Sequence, residues 1–392
     1  MDFSNTEISY KHLTNKDLKR ASFIFSVITK PFLVKTGKIF IRLAKFTRIP
    51  YGWAVRGNIF RHFCGGETIK QCLPVIQKLA TGKCSSILDY SAEGLSGEKS
   101  FEKVKTEILS TLEIASTNTN ISFGVFKMTG IADFSLLERI SAQGRVLEED
   151  RQLWQVVTSR VHEIFSSAKQ KDIPVFVDAE ETWIQPAIDM LIEEMMIQFN
   201  QEKPIVYTTI QMYTTIGFEK IRQLISFAEK NNIIAGVKLV RGAYMEKERD
   251  RAKEKGQASP VFDTKAHTDK SFNDAITYCF EKINAIHFCI ASHNEQSNSL
   301  AHTIFETNNI ELNDPRISFA QLYGMSDHIT FNLAQSGFNV SKYLPYGPVQ
   351  KVMPYLIRRA EENSSVAIQS NRELQNIRRE RQRRKLLTRS VG

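Results

Sequence analysis

Ionisable and polar residues stand at the ends of a series of short apolar runs. Asp89 lies at the end of the run 86–90, with Glu93 just beyond, and Lys127 near the end of 121–128. Asp178 and Ala179 end 174–179, and Glu180 and Glu181 follow. Gln211 stands at the end of 205–212; Lys238 and Arg241 lie on 236–241, with Gly242, Ala243 and Tyr244 next. Ser292 ends 286–292 and leads into His293 and Asn294; Gln321 ends 317–321. Tyr343 opens 343–346, and the helical stretch beyond it carries Arg358 and Arg359. Taken singly, each has a structural explanation. A strand-end Asp caps the next helix, adjacent arginines are solvated, and a lone His is structural. Their recurrence at the ends of eight runs is what points to a site.

The set is rich in cations: Lys127, Lys238, Arg241, Arg358 and Arg359. It lacks the clustered His and carboxylate ligands of a metal centre. No G-x-S-x-G and no Cys–His pairing suggests a covalent hydrolase. Cations without a metal suit an anionic substrate and an electron-rich cofactor. Two arginines beside Lys127 can clamp a carboxylate through charge-assisted hydrogen bonds.

Residues of this kind need a frame that gathers strand ends. Helical stretches separate the runs, at 183–200, 217–232, 271–283 and 295–307. Eight apolar runs alternating with helices fit a closed parallel (β/α)8 barrel, in which functional residues project from the C-terminal strand ends. The other architecture open at this point is a doubly wound sheet. No G-x-G-x-x-G follows an early run, which weakens its dinucleotide-binding version.

The ends of the chain differ from its middle. Of 392 residues 42% are hydrophobic, enough for a large core, and the net charge of +9 is concentrated at the two ends. From Lys11 to Arg61 the only acid is Asp17. Such a helical, basic segment can pack on the barrel, lie on an anionic membrane, or do both with different faces. The stretch 371–389, with Arg378–Arg379 and Arg383–Arg384–Lys385, reads as a solvated tail, helical or disordered. A lone basic tail is weak ground for nucleic-acid binding, and none is expected. The five cysteines form no C-x-x-C pair, which fits buried thiols in a reducing compartment. The beginning of the sequence lacks a signal-peptide arrangement, and no run of about eighteen apolar residues occurs. Residues 1–84 are therefore expected as a basic helical extension, 85–365 as the barrel and 366–392 as a basic tail. The expected location is cytoplasmic, with peripheral contact at the inner face of the membrane.

At these same residues the sequence closely resembles the proline dehydrogenase family. The matching segments are VDAEET (177–182), KLVRGAYMEKER (238–249), ASHN (291–294), QLYGMSDH (321–328) and YLPYGPVQKVMPYLIRRAEEN (343–363). The resemblance implies a distorted (β/α)8 barrel binding FAD noncovalently. It also implies oxidation of L-proline to Δ1-pyrroline-5-carboxylate, with electrons passed to a membrane quinone. No aldehyde dehydrogenase domain is evident, so a separate pyrroline-5-carboxylate dehydrogenase is expected for the next step.

Carried over residue by residue, Lys127, Arg358 and Arg359 resemble the proline carboxylate clamp, with Tyr343 and Leu239 flanking the pyrrolidine ring. Asp178 resembles the active-site aspartate, and Lys238 the basic residue at the flavin's reactive edge. Ala179, Gln211, Arg241, Gly242, Ala243, Ser292 and His293 resemble FAD contacts. Glu93 resembles an acid that pairs with Arg358 when no substrate is bound. Many bacterial members have Arg at the position of Lys238 and Lys at that of Arg241; the order here resembles the mitochondrial-type branch. Both positions keep their charge, but Lys lacks the planar fork of Arg. The rival readings are hydroxyproline oxidation, which Tyr343 would crowd, and a Schiff-base lyase using Lys127 or Lys238 on the same barrel.

Overall fold

The structure, a computed structural model, describes residues 1–30, 32, 56–91, 96–365 and 367–390. Its strands are β1 (Ser85–Tyr90), β2 (Ile121–Lys127), β3 (Val175–Asp178), β4 (Val206–Gln211), β5 (Ala235–Val240), β6 (Ile286–Ala291), β7 (Ile317–Leu322) and β8 (Val340–Tyr346). They close in chain order into one barrel. The apolar runs of the sequence are these strands, shifted by a residue at some ends. The exception is β8, which starts at Val340 rather than Tyr343 because buried Ser341 and Lys342 interrupt the apolar pattern.

Helices α1 (Thr6–Tyr10), α2 (Asn15–Ile28) and α3 (Ile69–Ala80) precede β1. Between strands lie α4 (Glu98–Thr117), α5 (Phe134–Gln143), α6 (Arg151–Lys171), α7 (Gln185–Phe199) and α8 (Gly217–Asn231). They are followed by α9 (Met245–Glu254), α10 (Lys265–Glu281), α11 (Glu295–Thr307) and α12 (Asp327–Ser336). After β8 come α13 (Val349–Ser365) and α14 (Ala367–Ser390).

The chain forms two compact units. One is Leu95–Ala320. Its strands are largely buried on both faces, as parallel strands of a barrel are. On the outer face Phe126 meets Phe165 of α6 with ring centroids 5.9 Å apart, and Phe288 meets Phe280 of α10 at 5.1 Å. On the inner face Phe123 stacks on Phe176 at 4.2 Å, and Tyr207 stands edge-on to Phe176 at 5.4 Å. Each fully buried aromatic contributes on the order of 1.5–3 kcal/mol. Together they fill the inner face below the strand ends, so polar groups at those ends rest on a rigid apolar floor.

The other unit joins Met1–Gly94 to Gln321–Gly392. Here β1 and β8 pair in parallel, with Ile87 opposite Tyr343. A capping box starts α2: the Thr14 hydroxyl and the Asp17 carboxylate each satisfy the other's backbone N–H. Its buried face, with Tyr10 of α1, packs on Leu374 and Ile377 of α14. The residues expected as a solvated tail thus form a helix buried along one side. That side carries Leu374 and Ile377 and also two buried acids, Glu373 and Glu380. Glu373 accepts from the Ser326 backbone N–H and from the Tyr10 hydroxyl at 3.4 Å. Glu380 takes up Arg383, Arg384 and the Thr6 hydroxyl. Lys342 of β8 pairs with Asp327 at 2.8 Å, and His12 of the N-terminal segment lies 3.6 Å from the same carboxylate. All five cysteines are buried and outside any disulfide. Much of the basic stretch 31–55 lies outside the described residues.

Candidate active site

In the Leu95–Ala320 unit the strand register sets the site. Lys127 is paired with Asp178 across β2 and β3, Thr209 with Lys238 across β4 and β5, and Lys238 with Cys289 across β5 and β6. Paired residues of parallel strands share a face, so these side chains form one layer above the aromatic floor. Lys127 Nζ lies 2.8 Å from Asp178 Oδ2, and Lys238 Nζ donates to Asp178 Oδ1. One carboxylate therefore bridges two ammoniums. Burial alone would raise the Asp178 pKa, but the charges and hydrogen bonds of Lys127 and Lys238 hold it well below the usual carboxylate range. Lys238 Nζ also lies 4.9 Å from the centroid of the Phe176 ring, which favours a cation there.

Leu239 is fully buried and follows Lys238 in the strand, so it takes the opposite face. It is in register with Ile210 and Ile290, on the side where Phe288 meets α10.

Gln211, at the end of β4, uses both ends of its amide. Nε2 donates to the Glu180 carbonyl at 2.7 Å, and Oε1 accepts from the Ala243 N–H at 3.4 Å. Ala179 stands between Asp178 and Glu180 in the same turn. Gly242 has φ +136°, a conformation that side chains strain to adopt, and a Cβ there would lie 2.5 Å from the Tyr213 ring. Glycine is required on both counts: the Tyr213 ring takes the space a side chain would need, while Gly242 and Ala243 stay exposed on the other side. The Tyr213 hydroxyl is buried beside the Tyr244 backbone N–H.

Arg241 lies 4.3 Å from the Phe272 ring centroid and donates to Asp269 at 2.8 Å, to the Ser292 hydroxyl at 2.7 Å and to the Ser297 hydroxyl at 2.9 Å. It locks β5 to α10 and to the start of α11, with two of its five N–H groups left over. Ser292 also accepts from the Asn294 N–H, and Asn294 caps α11. His293 sits half-buried between them.

Sequence reasoning missed Asp269, Phe272 and Thr129. Asp269 and Phe272 lie in the first turns of α10. A second helix, α9, separates α10 from β5, so no fixed spacing from a strand end could have found them. Thr129 sits in a short turn after β2 and carries no signal of its own; its partner is Glu180.

In the other unit Tyr343 is buried on β8. Arg358 is half-buried and Arg359 buried on α13, with the Arg359 guanidinium 5.4 Å from the Tyr355 ring centroid. Glu93 lies outside the described residues. Among the described residues no group of three or more His, Cys, Asp or Glu side chains could hold a metal ion, and no helix is long and apolar enough to cross a membrane.

Comparison with known proteins gives these residues relatives. A family model described as Proline dehydrogenase matches residues 72–372. The chain is 33% identical over 379 residues to "Proline dehydrogenase 1, mitochondrial" of Dictyostelium discoideum, covering 86% of this chain and 66% of that one. It is 34% identical over 330 residues to "Carbapenem antibiotics biosynthesis protein CarD" of Pectobacterium carotovorum subsp. carotovorum, covering 84% of each. Among solved structures, proline utilization A (PutA) from Bdellovibrio bacteriovorus, inactivated by N-propargylglycine, superposes with a TM-score of 0.73 at 22% identity, over 92% of this chain and 38% of that one. That likeness supports the fold.

Proposed function

The chain belongs to the proline dehydrogenase family, and from that premise we propose that it oxidises L-proline to Δ1-pyrroline-5-carboxylate using FAD. The observation that carries the reading is the bridge Lys127–Asp178–Lys238, built from β2, β3 and β5. It offers fixed positive charge for an acid group on one side and for an electron-rich ring on the other.

The residues present fit a flavin. Gly242 and Ala243 are exposed, so a ligand can approach their turn from the solvent side, and the spare N–H groups of Arg241 suit a phosphate oxygen. Gln211, Arg241, Gly242, Ala243, Ser292 and His293 would hold the group, with Ala179 beside them. Bound there, FAD would accept the hydride from the ring carbon next to the proline nitrogen.

The chain's own residues do the positioning. Lys127, Arg358 and Arg359 would fix the proline carboxylate, and Tyr343 would pack on the ring. Fixing a reactant in this way supplies up to about 7–11 kcal/mol in the best intramolecular models. Proline must shed its ammonium proton before its nitrogen can assist departure of the hydride. Nearby cations favour the neutral amine. Asp178, kept strongly acidic, is a poor base for that proton, and Glu180 is turned to the Thr129 N–H and hydroxyl. The proton would go to solvent. Lys238 would counter the negative charge that builds up at the cofactor.

A quinone would take the electrons onward, and the product would pass to a separate dehydrogenase. Docking on anionic lipid would bring a lipid-soluble acceptor close. Lys16, Lys19 and Phe23, exposed on one face of α2, and Arg378 and Arg379, exposed on α14, suit that surface. The deciding experiment is the absorbance spectrum of the purified chain under anaerobic conditions, before and after proline. A flavin band that bleaches on adding proline supports the reading; a colourless protein, or a band indifferent to proline, defeats it.

A further inference from the structure

Glu180 stands two residues beyond Asp178, is 3% exposed, and has no part in the steps above. Its carboxylate accepts from the Thr129 backbone N–H at 3.0 Å and from the Thr129 hydroxyl. Thr129 lies in the turn immediately after Lys127. The Glu180 N–H donates to Gln185 Oε1 at 3.2 Å, at the start of α7, and its carbonyl accepts from Gln211 Nε2. Gln211 in turn holds the Ala243 N–H. Hydrogen bonds thus run without a gap from the turn after β2, through the turns after β3 and β4, to the turn after β5. Glu180 is the node at which the first three meet.

An acid buried this deeply costs free energy unless its oxygens are satisfied. Here both are used on one residue, the second beyond Lys127. Lys127 has a long, flexible stem whose aim depends on where its backbone turns.

We propose that Glu180 is a positioning residue: by holding Thr129 it fixes the turn that aims Lys127 at the substrate's carboxylate. This rests on the reading of Lys127 given under the proposed function. The role is geometric, so the charge on Glu180 is dispensable while its shape is not. A glutamine can keep both contacts, accepting from the Thr129 N–H through Oε1 and donating to the Thr129 hydroxyl through Nε2.

The test uses the full flavin-loaded chain and two measurements: proline kinetics, and calorimetric binding of cyclopentanecarboxylate, which offers the acid group on a five-membered ring with no amine to oxidise. Glu180→Ala should raise both the proline KM and the cyclopentanecarboxylate Kd roughly tenfold, equivalent to about 1.4 kcal/mol. Its kcat and flavin content should stay near those of the wild type. Glu180→Gln should restore both constants. Thr129→Val, which removes the hydroxyl from the other side and spares Glu180 should the alanine variant fail to fold, should raise them in the same sense.

Unchanged constants in Glu180→Ala and Thr129→Val would overturn the inference while leaving the proposed function standing. A glutamine variant as impaired as the alanine one would also overturn it, because the charge would then be what matters. If the wild-type chain neither oxidises proline nor binds cyclopentanecarboxylate, the functional reading fails and the inference falls with it.

Discussion

Lys342 of β8 and Asp327 at the start of α12 form an ion pair at 2.8 Å in which the lysine side chain has no solvent exposure. Lys342 also donates to the Met325 carbonyl. Desolvating two charges is expensive, so the pair adds little net stability over a well-packed apolar pair, but a lone survivor is costly. Lys342→Met should therefore destabilise the chain by about 3–5 kcal/mol, and the double variant Lys342→Met/Asp327→Leu should recover much of that. Urea unfolding of the three proteins would decide it. A double variant no more stable than the single one would show that the pair itself holds the fold.

Acid should loosen the same region. Burial pushes the His12 and His62 pKa values down to about 4, against the opposing pull of Asp327. Each ring is neutral in the fold yet becomes charged once unfolded below its ordinary value of about 6.5. Their contribution is thus whole above about pH 6.5 and is lost as pH falls towards 4. His12→Gln should flatten the fall in urea midpoint over that window, and an unaltered slope would count against it.

Glu180 should act with the opposite sign. Burial raises its pKa to about 7, outweighing the hydrogen bonds from Thr129. Between its ordinary value of about 4.5 and 7 the folded chain holds a proton that the unfolded chain lacks, so this residue adds stability as pH falls through 7. Relative to Glu180→Gln, the wild type should gain in urea midpoint from pH 7.5 to pH 5. Parallel curves for the two proteins would rule this out.

Arg358→Met and Arg359→Met should each raise the proline KM about 10- to 100-fold, the range expected when a charge-assisted hydrogen bond worth about 1.5–3 kcal/mol is lost. FAD should stay bound in both. Proline saturation unchanged in either variant would remove that arginine from the clamp.

Cosedimentation with phosphatidylserine-containing vesicles should occur at low salt and vanish at high salt. Lys16→Glu/Lys19→Glu should weaken it without altering proline turnover in detergent. Equal binding by wild type and variant would place the contact elsewhere.

Much of the fold was legible in the sequence for one physical reason. A parallel strand covered on both faces reads as an unbroken apolar run, and eight such runs stand between helical stretches. The reading faltered where burial is polar. Ser341 and Lys342 hid the start of β8, and the polar first turn of α10 hid the residues 265–270. The last helix misled for a related reason. Its arginines are conspicuous, but its packing is set by Glu373 and Glu380, seven residues apart and buried against the N-terminal helices. The candidate site was legible where a residue ends a strand, as with Lys127 and Asp178, or stands near its end, as with Lys238. It was not legible where one side chain serves another across the fold, as Glu180 serves Thr129 and Asp269 serves Arg241, because such partners have no fixed spacing.

The docking of α1 and α2 on α14, like the pairing of β1 with β8, joins segments from opposite extremes of the chain. At about 5–20 residues per second, the ribosome makes Tyr10 and Leu18 roughly 20–70 s before Leu374 and Ile377. During that interval an apolar, basic segment lacks the helix that will cover it. Its fate in the cell is thus set partly by the pace of translation and by whatever chaperone or lipid meets it first.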